Sequence, residues 1–243
     1  MKSCDDFTIC IKAYERPDCV VRLLASIDRH CRGARILIAD DSRSSLYFDP
    51  SLQVLRLPPD VGLSAGRNAL ADACETEYLI FFEDDFVVAE DTRLNLLVEF
   101  VRQDMFDVAG GATRTPAGIV HFEGWLHPKP DKLHLVALEP LHYHPLQVRV
   151  CDITANFMAM KTETAQRIRW DDDLRMGEHY EFFLRCKEAS PQVRVGYLPM
   201  CVIDHLRDRP GAYKHEREQK QHEGHALFLE RRGYTNISGS LTP

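Results

Sequence analysis

A chain of 243 residues, 44% hydrophobic and 28% charged, has the composition of a soluble globular protein with material for a substantial core. Its formal charge of −7 excludes broad nucleic-acid binding, which requires a basic face to release counterions. No run approaches the roughly 20 apolar residues of a spanning helix, and the acidic start Met1-Lys2-Ser3-Cys4-Asp5-Asp6 lacks the apolar centre of a signal peptide. The expectation is therefore a cytoplasmic enzyme, free or peripheral to a membrane, or the isolated catalytic domain of a larger one.

In chain order, Phe7-Thr8-Ile9-Cys10-Ile11 is an apolar run of strand length. Arg16-Pro17-Asp18 then opens a helix, with Pro17 in its first turn and Val20, Leu23, Leu24 and Ile27 on one face. Residues 35–39 form a second strand that runs into Asp40-Asp41-Ser42, and residues 54–57 a third. A helix begins at Gly62-Leu63-Ser64-Ala65-Gly66-Arg67-Asn68 and reaches about Cys74. Tyr78-Leu79-Ile80-Phe81-Phe82 is the clearest strand and ends in Glu83-Asp84-Asp85. A helix over 92–103 turns Leu94, Leu97, Val98 and Val101 inward. This β-α-β-α order predicts an α/β fold: a mostly parallel central sheet flanked by helices, with ligands at the carboxyl ends of the strands. Residues 112–150, with their prolines, histidines and hairpin-like runs, read as a subregion shaping a second binding site. Regular structure resumes at 151–160, with a helix near 178–187, strands at 193–198 and 202–205, and a polar helix over 213–232. No repeat or linker divides the chain.

Eight cysteines are spread along the sequence without a C-x-x-C pair, which argues against structural zinc. Several, such as Cys10 and Cys201, lie among apolar residues, where a reduced thiol behaves as a small hydrophobe. His121, His127, His134, His142 and His144 have irregular spacing and no H-E-x-x-H, which favours acceptor contacts or surface loops over zinc hydrolysis.

The acids carry the chemistry. Two strands end in acidic clusters, Asp40-Asp41 and Glu83-Asp84-Asp85, and a parallel sheet brings such ends to one crevice. Packed carboxylates raise the cost of their own ionisation unless a cation answers them, and hard oxygen ligands suit Mg²⁺ or Mn²⁺, ions that bind diphosphates. Asp204-His205 ends another apolar strand and places an imidazole within reach of the same ion. Glu178 and Glu181, three apart, offer a general base; the helix macrodipole alone also favours acids there. The segment from Gly62 lacks both the G-x-G-x-x-G fingerprint and the Walker lysine, so NAD and P-loop readings fail.

The ordered series Asp40-Asp41-Ser42, Ala65-Gly66-Arg67-Asn68, Glu83-Asp84-Asp85, Gly110-Gly111-Ala112, Asp152 with Asn156-Phe157, His179-Tyr180-Glu181-Phe182-Phe183 and Val202-Ile203-Asp204-His205 resembles GT-A glycosyltransferases of the family-2-like lineage. Within that lineage it is most similar to the ganglioside-type β1,4-N-acetylgalactosaminyltransferases. The resemblance implies one GT-A, nucleotide-diphospho-sugar transferase domain over 1–243, with a nucleotide-sugar-binding half at 1–111 and an acceptor-binding half at 112–243. It implies that Asp40, Asp41 and Arg67, with Ala13 and Tyr14 at the first strand end, hold the uridine. Asp84 would face the ribose or sugar. Asp85, Glu83 and His205 would hold Mn²⁺ or Mg²⁺, and Glu178, His179 and Glu181 compete for the base, Glu181 best matching the ganglioside-type pattern. Glu83 departs from the aspartate that opens the family's D-x-D motif. The implied activity is inverting transfer of N-acetylgalactosamine or a related hexose from a UDP-sugar to a glycan, glycolipid or glycoprotein acceptor. The alternatives are a non-catalytic nucleotide-sugar-binding module and a sugar nucleotidyltransferase. The second would need a glycine-rich basic loop where Lys12-Ala13-Tyr14-Glu15-Arg16 stands.

Overall fold

The computed structural model describes residues 6–44, 49–138, 147–207 and 211–241. Cys4, His142 and His144 lie outside the described residues.

The chain begins β1 (Phe7–Ala13), α1 (Pro17–His30), β2 (Arg35–Asp40), β3 (Gln53–Arg56), α2 (Gly62–Ala73), β4 (Tyr78–Glu83), β5 (Phe86–Val87) and α3 (Leu94–Arg102). It continues through β6 (Val108–Thr115), β7 (Gly118–Val120), β8 (Glu123–Pro128), β9 (Lys132–Ala137), β10 (Arg149–Cys151), β11 (Ile153–Thr154) and β12 (Met158–Lys161). It ends with α4 (Thr162–Ile168), α5 (His179–Glu188), β13 (Val195–His205), α6 (Gly211–Arg232) and β14 (Asn236–Ser240).

The large sheet runs β10-β13-β6-β12-β4-β1-β2-β3, with β5 and β7 paired at its margins. The parallel sheet expected from the first half is present in β4-β1-β2-β3. One strand breaks the pattern: β12 is antiparallel to both β4 and β6. Two reversals cancel, so β6 points the same way as β4, and β13 lies parallel to β6. The carboxyl ends of β1, β2, β4 and β13 therefore share one edge with the amino end of β12. That geometry brings Asn156 and His205 to the acids.

Side chains alternate across the sheet. Cys10, Leu37, Leu79 and Phe81 pack on one face, and Ile9, Ile11, Ile38, Ile80 and Phe82 on the other, each in its own apolar core. The two strands expected at 193–198 and 202–205 are one, β13. Its ladder shifts register between Leu198 and Val202, around Pro199, whose missing N–H accounts for the apparent gap in the sequence. Residues 112–150 supply the end of β6, β7 and the start of β10 to the large sheet, and β8 and β9 to a second sheet, β11-β8-β9-β14, in which β14 pairs in parallel with β9. Cys10, Cys74, Cys151, Cys186 and Cys201 are free thiols, and all seven described cysteines are buried. No helix among the described residues is long and apolar enough to cross a membrane.

Candidate active site at the strand ends

Asp85, Glu83 and His205 come together. Their candidate ligand atoms lie within 4.8 Å of one another, the one such group of three among the described residues. His205 Nε2 stands 3.4 Å from Glu83 Oε2 and 3.4 Å from Asp85 Oδ1. Both His205 Nε2 and Asp85 Oδ1 are buried without a hydrogen-bond partner. Orphaned polar atoms of this kind are costly, and here an imidazole nitrogen and a carboxylate oxygen face the same point, an arrangement that a divalent cation would satisfy. Phe86, opposite His205 in the β5–β13 pairing, braces the imidazole edge-on at 5.0 Å.

Two residues to which the sequence assigned no role in the site hold this group in place. Arg16, at the N-cap of α1, donates from Nη1 to Asp85 Oδ2 at 2.8 Å and grips both oxygens of Asp84. Burial resists ionisation of both aspartates. For Asp84 it prevails over Arg16 and raises the carboxyl to about 6; for Asp85, His205 and Arg16 prevail and hold it below the usual range. Asn156, just ahead of β12, donates from Nδ2 to Glu83 Oε1 at 2.6 Å. The usable signal was position: each lies within three residues of a strand end on the active edge.

The other expected site residues divide into those that face a cavity and those that support it. Asp41 pairs with the buried Lys12 and accepts from the Gly62 N–H at 3.0 Å. Lys12 lies where a Cβ on Gly66 would fall, so glycine at 66 makes room for it. Burial lowers the Lys12 pKa against the pull of Asp41. With Tyr14, these residues line a cavity of about 40 Å³ between β1, β2, α2 and α6. Ala13 contributes its carbonyl to Lys12 Nζ at 3.1 Å. Asp40 is fully buried, tied to Arg56 and to the Ser42 N–H, and lines neither this cavity nor the next. Asp84, engaged by Arg16, also lines neither.

Arg67, expected at the uridine, points instead to Glu178, 2.5 Å away, and lies over Trp170 at 5.7 Å. Asn68 binds the Trp170 backbone at both its N–H and carbonyl, so the Arg67-Asn68 pair docks the 170–178 segment onto α2. Beyond it opens a cavity of about 320 Å³, lined by Glu83, Asn156, Glu178, His179, His205 and the inner face of α6. His179 donates from Nε2 to the Thr154 carbonyl at 2.7 Å, which leaves Nδ1 as an acceptor, buried and unpartnered. Burial lowers its pKa from the ordinary 6.5, so the ring is neutral at pH 7. Glu181 is not in this cavity. Both its oxygens are held by Arg232, at 2.7 and 2.9 Å, and it lines a separate surface recess with Glu188 and Arg232. Among the histidines of 121–144, His121 bonds the Tyr197 hydroxyl at 2.5 Å and His134 bonds Ser238 at 3.0 Å.

Residues 8–168 match the glycosyl transferase family 2 profile. The chain belongs to that family. As a family 2 glycosyltransferase it shares 30% identity over 207 residues with mouse β-1,4 N-acetylgalactosaminyltransferase 1, a match covering 82% of this chain and 38% of the relative. The human counterpart is 28% identical over 216 residues, again covering 82% and 38%. The chain thus spans well under half the length of these relatives. Among solved structures, GalNAc-T7 with UDP, GalNAc and Mn²⁺ superposes with a TM-score of 0.63 at 14% identity, covering 82% of this chain and 43% of that one. S. aureus TarS 1–349 in complex with UDP-GlcNAc gives a TM-score of 0.61 at 15% identity, covering 94% of this chain and 66% of that one. At those identities the likeness is one of fold: this is a GT-A glycosyltransferase fold.

Proposed function

We propose that this family 2 chain is an inverting, divalent-metal-dependent transferase. It would move N-acetylgalactosamine or a related hexose from a UDP-sugar to a glycan, glycolipid or glycoprotein acceptor. The observation that carries this reading is the meeting of Glu83, Asp85 and His205 at one sheet edge, with two unpartnered ligand atoms turned toward each other. The relatives named as N-acetylgalactosaminyltransferases and the neighbour holding UDP, GalNAc and Mn²⁺ support the donor and the metal.

In this reading Asp85, Glu83 and His205 hold Mn²⁺ or Mg²⁺, which when bound offsets charge on the diphosphate. The nucleoside occupies the smaller cavity beside Lys12, Tyr14 and Asp41 once the side chains of Tyr14 and Glu216, hydrogen-bonded at 2.6 Å, turn aside. Asp40 and Arg67 act one step back, fixing the β2 end and the Glu178 segment. His179 is the base. Its Nε2–H, anchored on Thr154, orients the ring, and the bare Nδ1 takes the proton of the acceptor hydroxyl. The acceptor oxygen then bonds to the anomeric carbon as the carbon–oxygen bond to the β-phosphate breaks on the opposite face. The electron pair leaves with the nucleoside diphosphate.

UDP release from UDP-N-acetylgalactosamine without acceptor tests the reading and separates it from a non-catalytic binding module. Slow release by the wild type in Mn²⁺, lost in Asp85→Asn, is the expected outcome. A wild type that releases nothing with or without acceptors, or an Asp85→Asn variant as active as wild type, overturns it.

A further inference from the structure

Arg217 stands where the two cavities meet. Leu63, Met176 and Arg217 line both, and Arg217 is the only charged residue of the three. Most neighbouring cations are already engaged: Arg16 by Asp84 and Asp85, Lys12 by Asp41, Arg67 by Glu178, Arg175 by Asp60, and Lys220 by Asp60 and Glu216, while Arg207 of the larger cavity is exposed to solvent. Among the described residues, no carboxylate lies within ion-pair distance of Arg217. Its Nη1 makes one long contact to the Tyr213 hydroxyl, 3.4 Å, and its Nε is buried without a partner. A guanidinium partly withdrawn from water, attracted by Glu83 only from beyond ion-pair distance, gains from an anion that meets it directly.

The path of the donor supplies that anion. A nucleoside in the smaller cavity and a sugar beside Glu83 and His205 in the larger one must be joined through the place Arg217 occupies. We propose that Arg217 binds the diphosphate of the donor and stabilises it as leaving group. The inference rests on the reading of the two cavities given above. When the anomeric carbon–oxygen bond breaks, its electron pair becomes an additional negative charge on the β-phosphate. Arg217 stays protonated throughout and offers paired N–H donors to the phosphate oxygens, so its attraction grows as the bond breaks.

The test compares UDP with uridine. Binding of each is measured calorimetrically in Mn²⁺ for wild type, Arg217→Met and Arg217→Lys, together with turnover of the UDP-sugar. Lys214→Met, a charge removed from an exposed position of the same helix, is the control. Arg217→Met is expected to weaken UDP binding about 10-fold or more, to leave uridine binding unchanged, and to lower kcat by roughly 10²-fold. Arg217→Lys keeps the stem and the charge and covers the case in which the methionine variant does not fold. It is expected to lose about 3- to 10-fold on UDP and nothing on uridine, because the planar fork is gone. Wild-type affinity for UDP in a folded Arg217→Met protein overturns the inference, as does equal loss on UDP and uridine, which would make Arg217 a wall of the nucleoside cavity. A wild type that binds neither ligand defeats the underlying reading instead, so the two failures are distinguishable.

Discussion

Glu178, His179 and Glu181 lie within four residues of one another, yet they meet three environments. Glu178 is locked to Arg67, Glu181 to Arg232, and only His179 keeps an unpartnered acceptor. Replacing each therefore has a distinct expected result. His179→Ala should lower kcat by about 10²- to 10⁴-fold, the usual worth of a positioned general base. Glu181→Ala should leave turnover near wild type. Glu178→Gln breaks a buried ion pair and should destabilise by about 3–5 kcal/mol, seen in denaturant melts, with turnover per folded molecule better preserved than in His179→Ala. The pH profile adds an independent check. With its pKa below 6.5, His179 stays an acceptor at neutral pH, so kcat/KM should be level there and fall only in mild acid. Stability follows the same sense: the unfolded histidine takes up a proton first, so the His179 contribution is full above 6.5 and declines as pH falls below it.

Much at this scale was legible in the sequence, since acids at the ends of apolar strands announce an edge where charge must be answered. Spacing could not separate Glu178 from Glu181, because it places both on one side of the α5 start and says nothing of Arg67 and Arg232, the distant partners that hold them. Arg16 and Arg67 act on partners 69 and 111 residues away, contacts that no local pattern encodes.

Elements were easier to read than their neighbours. Pro17 and the Val20-Leu23-Ile27 stripe mark α1, and alternation marks β1 and β4, because local geometry alone decides them. That β12 is antiparallel depends on long-range pairing and has no local signature. α6 illustrates the difference. Its polarity suggests a solvated helix, but its inner face closes the large cavity, and it rests on the turn at Met176-Gly177 through Gly224. A Cβ at Gly224 would fall 1.8 Å from the Met176 carbonyl oxygen, a backbone atom that cannot yield cheaply. Gly224→Ala should therefore push α6 off the site despite its better helix propensity, costing about 1–3 kcal/mol. Thermal melting would show a lower midpoint, and donor KM should rise because Arg217 and Gln221 move with the helix. A variant more stable than wild type would mean that α6 does not depend on this close approach.

At the scale of the molecule, the site belongs to no single half of the chain. Asp41 and Glu83 come from strands before residue 111, His179 and His205 from elements after it, and α6 reaches back to Tyr14 and Asp60. A ligand spanning these parts stabilises the whole fold by mass action, by about 2.7 kcal/mol at 100 times its dissociation constant. For a chain of 243 residues that corresponds to a rise in Tm of roughly 5–11 °C, since each kcal/mol is worth about 2–4 °C at this size. UDP alone should give part of the rise and UDP with Mn²⁺ the remainder. The two additions should be more than additive, because the metal and the diphosphate are mutual ligands and each raises the affinity for the other. Asp85→Asn should keep the UDP increment and lose the metal increment. If Mn²⁺ raises the wild-type and Asp85→Asn midpoints equally in the presence of UDP, the ion is held elsewhere, and Glu83, Asp85 and His205 form a polar cluster satisfied by other means.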